Sequence, residues 1–174
     1  SPTQAIGNPS SVLCTWNPLD NYYAPATFSN GATTVATASG SPTWTFSTAT
    51  LGVSTGKWYW EVKNSASIDS PIIGLATVTA TSASDQLGQA LSQWGYGKNG
   101  QIHSGASILA TYGTYSDNDI IGFGLDATNN KLYISINGTW QNSADPAAGT
   151  NGLTILAPAS TSIGSYFPAI GAGN

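Results

Sequence analysis

Gly56-Lys57-Trp58-Tyr59-Trp60-Glu61-Val62-Lys63 is the stretch that decides the fold. Trp58, Trp60 and Val62 alternate with Lys57, Tyr59, Glu61 and Lys63. That period of two gives one apolar and one mixed face, and predicts a strand. On this alternation Trp58 and Trp60, and with them Trp44, are expected in the core. Leu132, Ile134 and Ile136 alternate with Tyr133 and Ser135 in the same way. Ile72 to Val78 and Ile120 to Leu125 are rich in β-branched residues and broken by single glycines, as in strands that bend or face a neighbouring backbone. No segment carries a sustained helical stripe, and Ser84 to Ser92 has room for one helical turn at most.

Turn residues punctuate these strands. Asn30-Gly31, Asn99-Gly100, Asn137-Gly138 and Asn151-Gly152 each supply residues that tolerate positive φ, and Asn129-Asn130 reads as a tight hairpin. Short strands with turns at this spacing predict an all-β sandwich or barrel. Neither an internal repeat nor a linker divides the chain. Residues 79–93, 103–118 and 139–152 read as surface loops.

At 174 residues the chain fits one domain. Only 7% of its residues are charged, with four Lys, no Arg and a net charge of −4, against about 25% charged residues in an ordinary domain. Phosphate binding draws on several Lys and Arg contacts, so nucleic acid is excluded as a partner, and anionic lipid with it. No apolar run approaches the roughly 18 residues of a membrane span. A surface solvated by hydroxyls and amides is common in secreted, cell-surface and virion proteins. The single Cys14 forms no internal disulfide; it reads as a small apolar filler in a strand from Val12 to Trp16, or as a thiol open to another chain. The redox compartment stays open. The chain starts at Ser1 without a signal-peptide pattern, which reads as a processed chain or a piece of a longer one.

In order along the chain, Gly56 to Val62, Ile73-Gly74-Leu75-Ala76, Asp119 to Asp126, Leu132 to Gly138 and Tyr166-Phe167-Pro168-Ala169 resemble the successive strand motifs of the SPRY domain. Two positions depart from the pattern: Asn118 stands where the family has Gly, and Ile134 where it has Phe. The resemblance implies a two-sheet antiparallel β-sandwich of the SPRY/concanavalin-like jelly-roll type, with its core over residues 53–170. Upstream, Trp16-Asn17-Pro18-Leu19-Asp20 and Thr27-Phe28-Ser29-Asn30-Gly31 resemble a leader that precedes SPRY-like domains in phage and phage-like virion proteins. Residues 1–52 are then a leader adding edge strands, and 1–174 a single domain. SPRY domains run on past the Pro-Ala element into a final strand, whereas Gly171-Ala172-Gly173-Asn174 reads as a loop. The last strand is therefore expected to be missing. The neighbour left unpaired would expose N–H and C=O groups, to be covered by another segment or by a partner chain through strand addition.

Catalytic signatures are weak. His103 is the only histidine and no nucleophile elbow surrounds any serine, so it reads as a loop residue, solvated or bonded to a backbone carbonyl. One Cys and one His do not make a zinc site. Asp117-Asn118-Asp119 offers oxygen ligands without the rest of a calcium loop. Glu61 and Asp126 are the conceivable carboxylate pair of a glycosidase, but within the SPRY resemblance Glu61 reads as a buried or partly buried hydrogen-bond acceptor. Asn137-Gly138-Thr139 is a sequon that coincides with a turn. The expectation is a protein without catalytic residues, metal or cofactor.

Aromatic residues carry the binding expectation. Trp94, Tyr96, Tyr112, Tyr115 and Trp140 fall at or beside predicted loops, and Asn142 joins them. Loop aromatics offer large contact area at small entropic cost. The SPRY resemblance places recognition on loops at one end of the sandwich, implying a non-enzymatic module of a virion or cell-surface protein, such as a phage fibre or decoration protein, that binds a host-surface glycan or protein. The alternative is a structural subunit of an extracellular filament or capsid, assembled with copies of itself or other virion subunits by edge-strand complementation.

Overall fold

The alternation read in the sequence is realised as strands in the computed structural model, which describes residues 13–23, 26–37, 44–65, 70–77, 86–158 and 164–173. The first half holds β1 (Trp16–Tyr23), β2 (Thr27–Ser29), β3 (Thr34–Ala36), β4 (Thr45–Ala49), β5 (Lys57–Lys63), β6 (Ser70–Ala76) and β7 (Gln93–Gly97). The second holds β8 (Gln101–Ser104), β9 (Ser107–Thr111), β10 (Ile120–Asp126), β11 (Lys131–Ile136), β12 (Thr139–Trp140), β13 (Leu153–Thr154) and β14 (Phe167–Gly173). Every pairing among them is antiparallel.

Two large sheets face each other. One runs β1-β4-β14-β6-β7-β8-β9; the other runs β12-β11-β10-β5, with β13 also on β11. The hairpin β2-β3 stands apart from both. The alternating residues of each sheet meet between them: Ile73, Leu75, Trp94, Tyr96 and Ile102 from the first, Ile121, Phe123, Leu125, Leu132 and Ile134 from the second. Each such fully buried side chain contributes about 1.5–3 kcal/mol. A smaller cluster of Trp16, Ala49 and Ile170 joins Phe28 and Val35 of the hairpin to Val62 of β5. Gly74 shows why β6 carries a glycine: a Cβ there would lie 1.9 Å from the Trp94 carbonyl oxygen.

Several sequence expectations hold. The turn at Asn137-Gly138 has φ of 49° and 80°, that at Asn30-Gly31 has 52° and 66°, and Asn130 closes the β10-β11 hairpin at 54°. Others are corrected. Trp58 is half exposed at the end of β5, its indole N–H donating to Thr55 O at 2.7 Å, while Trp60 turns inward and stacks on Phe123 at 5.3 Å. Cys14 precedes β1 and is exposed, so it fills no core; Val12 lies outside the described residues. Residues 103–118 are not one loop, because β8 and β9 form a hairpin within them. Of 79–93, residues 86–92 form turns and Gln93 begins β7, with no helical turn among the described residues; 78–85 lie outside them.

The largest correction concerns the end of the chain. Gly171 to Gly173, read as a loop, continue β14, which pairs with β4 on one side and β6 on the other. Small residues suit this position because Gly171 lies against Leu87, where a Cβ would come within 3.0 Å. No open edge therefore adjoins the Pro-Ala element. The open edges among the described residues are elsewhere, and β5 is one of them.

Candidate recognition surface

The outward face of the second sheet follows from the registers. Lys57, Tyr59 and Glu61 of β5 stand opposite Asp126, Gly124 and Gly122 of β10, which in turn face Lys131, Tyr133 and Ser135 of β11; Ser135 faces Trp140 of β12. Two glycines thus pave the centre, and rings lean in over them. A Cβ on Gly122 would lie 2.6 Å from the Tyr59 hydroxyl oxygen, and one on Gly124 would lie 3.2 Å from the Trp140 ring. Tyr59 and Trp140 meet edge to face at 6.1 Å, and Tyr133 meets Trp140 the same way at 6.5 Å. Tyr59 is 54% exposed and Trp140 half-buried, whereas Tyr133 is covered by the loop at Gly152.

Polar groups frame the rings. The Tyr59 hydroxyl donates to Glu61 Oε1 at 2.6 Å, and this bond to a carboxylate is the main cause of the upward shift of its pKa. At the other end of the face, Asn129 donates its side-chain amide and its N–H to Asp126, each at 2.9 Å. The side-chain bond holds the Asp126 carboxyl below its ordinary value against the opposing effect of burial, with Lys57 3.9 Å away adding to the shift. Glu61 and Asp126 are separated by four residues of register, about 13 Å along the strand, too far for the carboxylate pair of a glycosidase. Nor is Glu61 buried, although it is a hydrogen-bond acceptor.

The six residues singled out in the sequence divide evenly. Trp94, Tyr96 and Tyr115 are buried between the sheets. Tyr115 donates to Pro71 O at 2.8 Å and the Tyr96 hydroxyl bonds to Gly113 O. Burial pushes the Tyr96 hydroxyl up to about 12 and that of Tyr115 further still. These three hold the framework and offer no surface. Tyr112 is half-buried and packs against the core. Asn142 is exposed at φ 56° in a short 3-10 turn (Gln141–Ser143), directly after Trp140. Gln141 links the two loops, its Oε1 accepting from Gly113 N–H at 3.1 Å and its Nε2 donating to Thr139 O at 2.9 Å. The structure therefore gathers Trp140 and Asn142 and ties the Tyr112 segment to them.

Recognition loops do not gather at one end. The β8-β9 turn packs on residues 88–91, with Gly105 N–H bonded to Ala90 O and Ala106 N–H to Gly88 O. Residues 112–119 lie at the opposite end, where Tyr112 N–H bonds to Gly100 O and Asn64 N–H to Asp119 O. Sequence reasoning missed Tyr59, which it placed only as one residue of a mixed face. The available clue was the pair Gly122 and Gly124 inside a strand, which leaves room for rings from both neighbours.

The remaining chemical candidates are occupied. His103 lies on β8, not in a loop, with Nε2 3.3 Å from Gln101 Oε1. Asp117 pairs with Lys98 at 3.2 Å, and Asp119 accepts from Ser116 N–H and Asn137 Nδ2. Among the described residues no three of His, Cys, Asp and Glu come together, and no helix is long and apolar enough to cross a membrane.

Comparison with known proteins agrees with this architecture. No curated protein sequence matches the chain. Among solved structures it is similar to the SPRY domain of human HERC1, with a TM-score of 0.62 and 16% identity over 90% of this chain and 89% of the other. That likeness shows the fold. The sequence pattern of the SPRY domain matches residues 57–174, more than half of the chain, and the protein belongs to the SPRY domain family.

Proposed function

We propose that this SPRY domain is a non-enzymatic recognition module that binds a host-surface protein or glycan through the glycine-paved face bearing Tyr59, Glu61, Trp140 and Asn142. The observation that carries this reading is the pairing of two accessible rings, Tyr59 and Trp140, over Gly122 and Gly124 with a carboxylate beside them. Such rings stack on a sugar face or anchor an apolar side chain, while Glu61 accepts a hydrogen bond from the ligand. The low charge supports placement on a virion or cell surface, as in a phage fibre or decoration protein. The experiment is a screen of immobilised glycans and of surface proteins from candidate bacterial hosts, repeated with Trp140→Ala and Tyr59→Ala. Loss of a bound ligand in both variants, with thermal unfolding little changed, is the expected result. Retained binding in both overturns the reading.

A second reading is architectural: a subunit whose open edge is completed by a neighbour. What supports it is the edge of β5.

A further inference from the structure

An edge strand presents a row of unpaired backbone groups, and proteins normally blunt it. Among the described edges, β12 and β13 are two residues long and β2 and β3 three, β1 has a register shift between Trp16 and Asn21, and β9 has one between Ile102 and His103 of its partner. β5 has none of these devices. Its seven residues pair with β10 in unbroken register. The ladder is bracketed by Ala127 N–H to Gly56 O and Asn64 N–H to Asp119 O, both 2.9 Å. Even-numbered residues of β5 therefore bond to β10, and Tyr59, Glu61 and Lys63 turn their N–H and C=O groups outward.

Beside this edge the sandwich is open. A cavity of about 650 Å³ lies between β5 and the first sheet, lined by Trp60, Val62, Ile73 and Ile170, with Val35 of β3 opposite. Trp60 Nε1 is buried without a hydrogen-bond partner among the described residues. Lys63 also lines the opening, and no carboxylate among the described residues lies within 4 Å of it.

The geometry points to a strand-accepting groove: an extended segment of a partner polypeptide adds to β5, bonding to the outward groups of Tyr59, Glu61 and Lys63. Its alternate apolar side chains fill the cavity against Trp60, Val62 and Ile170. On the outer face, a carboxylate of the segment stands beside Lys63. The apolar walls select the inward residues of the ligand, and the Lys63 ammonium, without an ion-pair partner among the described residues, selects the charge of an outward one. This site shares Tyr59 and Glu61 with the Tyr59–Trp140 face but uses their backbone groups rather than their side chains; it rests on the architectural reading and gives that reading its partner chemistry.

The test is residue-resolved hydrogen exchange of the whole chain, alone at several concentrations and with a synthetic acetylated octapeptide of alternating Val and Thr ending in Asp. In the chain alone, the amides of Trp58, Trp60 and Val62 exchange slowly and those of Tyr59, Glu61 and Lys63 fast. The peptide slows the latter three by at least about tenfold. Glu61→Pro removes an outward N–H, together with the carboxylate that accepts from the Tyr59 hydroxyl, and abolishes the effect. Lys63→Glu weakens the Asp peptide and favours one ending in Lys, which keeps the test open should the proline variant not fold. The proposal is overturned if the three amides are already slow in dilute chain, which means that the chain closes its own edge. It is overturned equally if they slow with chain concentration, so that a second copy takes the edge, or if the peptide leaves them fast. Each of these outcomes leaves the Trp140 and Tyr59 binding test standing.

Discussion

The two edges β5 and β9 invert the usual association of exposure with stickiness. β9 is uncharged and greasy, with Ile108 and Leu109 exposed and Leu91 beside its turn. Yet it carries a bulge: Ile102 pairs with Ala110 and His103 with Ile108, leaving Leu109 as the extra residue. β5 has Lys at both ends and Glu61 in the middle, but its backbone is regular and the sandwich is open beside it. Charge guards β5 weakly and geometry guards β9 strongly, because an incoming strand must match a regular row of donors and acceptors before side chains matter. Backbone regularity, rather than apolar surface, marks the strand-accepting edge.

The largest expected effect separates the two tryptophans of β5. Trp60 is stacked on Phe123 inside the sandwich, so Trp60→Ala is expected to cost about 3–5 kcal/mol. Trp58 is half exposed, and Trp58→Ala is expected to cost under ~1 kcal/mol. Urea unfolding of both variants measures the difference. Equal losses would mean that the edge is covered along its whole length, and the contrast with β9 would collapse.

Next comes the bulge itself. Deleting Leu109 gives β9 an unbroken register with β8 and leaves Ile108 beside a regular edge. The expected outcome is concentration-dependent association of a chain that otherwise sediments as it did before, read by analytical ultracentrifugation. A variant that folds and stays unassociated would show that apolar β9 needs no bulge to remain single.

Alkaline pH probes the interior that both edges frame. The hydroxyls of Tyr96 and Tyr166 are pushed up to about 12 by burial, from an ordinary 10.0. In the unfolded chain they ionise near 10, so folding binds the protons more tightly than the unfolded state does. Their contribution is fully present below pH 10 and is lost as pH rises through 10 to 12. Denaturant midpoints measured across that window are expected to fall. Tyr96→Phe and Tyr166→Phe together are expected to flatten the decline. A flat profile in the parent chain would remove these rings from the core.

Much of this arrangement was legible in the residues. Period two in Lys57–Lys63 and Lys131–Ile136 placed both strands, and Asn-Gly pairs placed the turns, because both are local effects. The aromatic residues were not, because local sequence does not say which side of a sheet a loop returns to. Trp94, Tyr96 and Tyr115 border polar segments but point between the sheets, and Trp58 obeys the alternation yet sits at an uncovered end. Gly171-Ala172-Gly173 looked like a loop since its composition lacks β propensity; the close packing of β14 on Leu87 rewards small residues instead. The open side of β5 is a property of topology: it depends on which strands fail to cover it.

The smallest effect is the most direct check on the role of charge. Ile108→Lys on β9 and Lys63→Ala on β5 exchange the chemical character of the two edges while leaving both backbones intact. Each side chain is exposed, so each substitution is expected to change stability by no more than about 0.5 kcal/mol. If geometry governs, Ile108→Lys leaves β9 as unreactive as before, and Lys63→Ala keeps β5 open to an extended segment while removing the preference for a carboxylate. Peptide titrations with Asp-ended and Lys-ended octapeptides separate the two contributions: both peptides should bind Lys63→Ala alike, and neither should protect β9 in either of these two variants. Protection of β9 amides in the parent chain would place the reactive edge on the apolar strand after all, and would make hydrophobicity rather than regularity the rule for this fold.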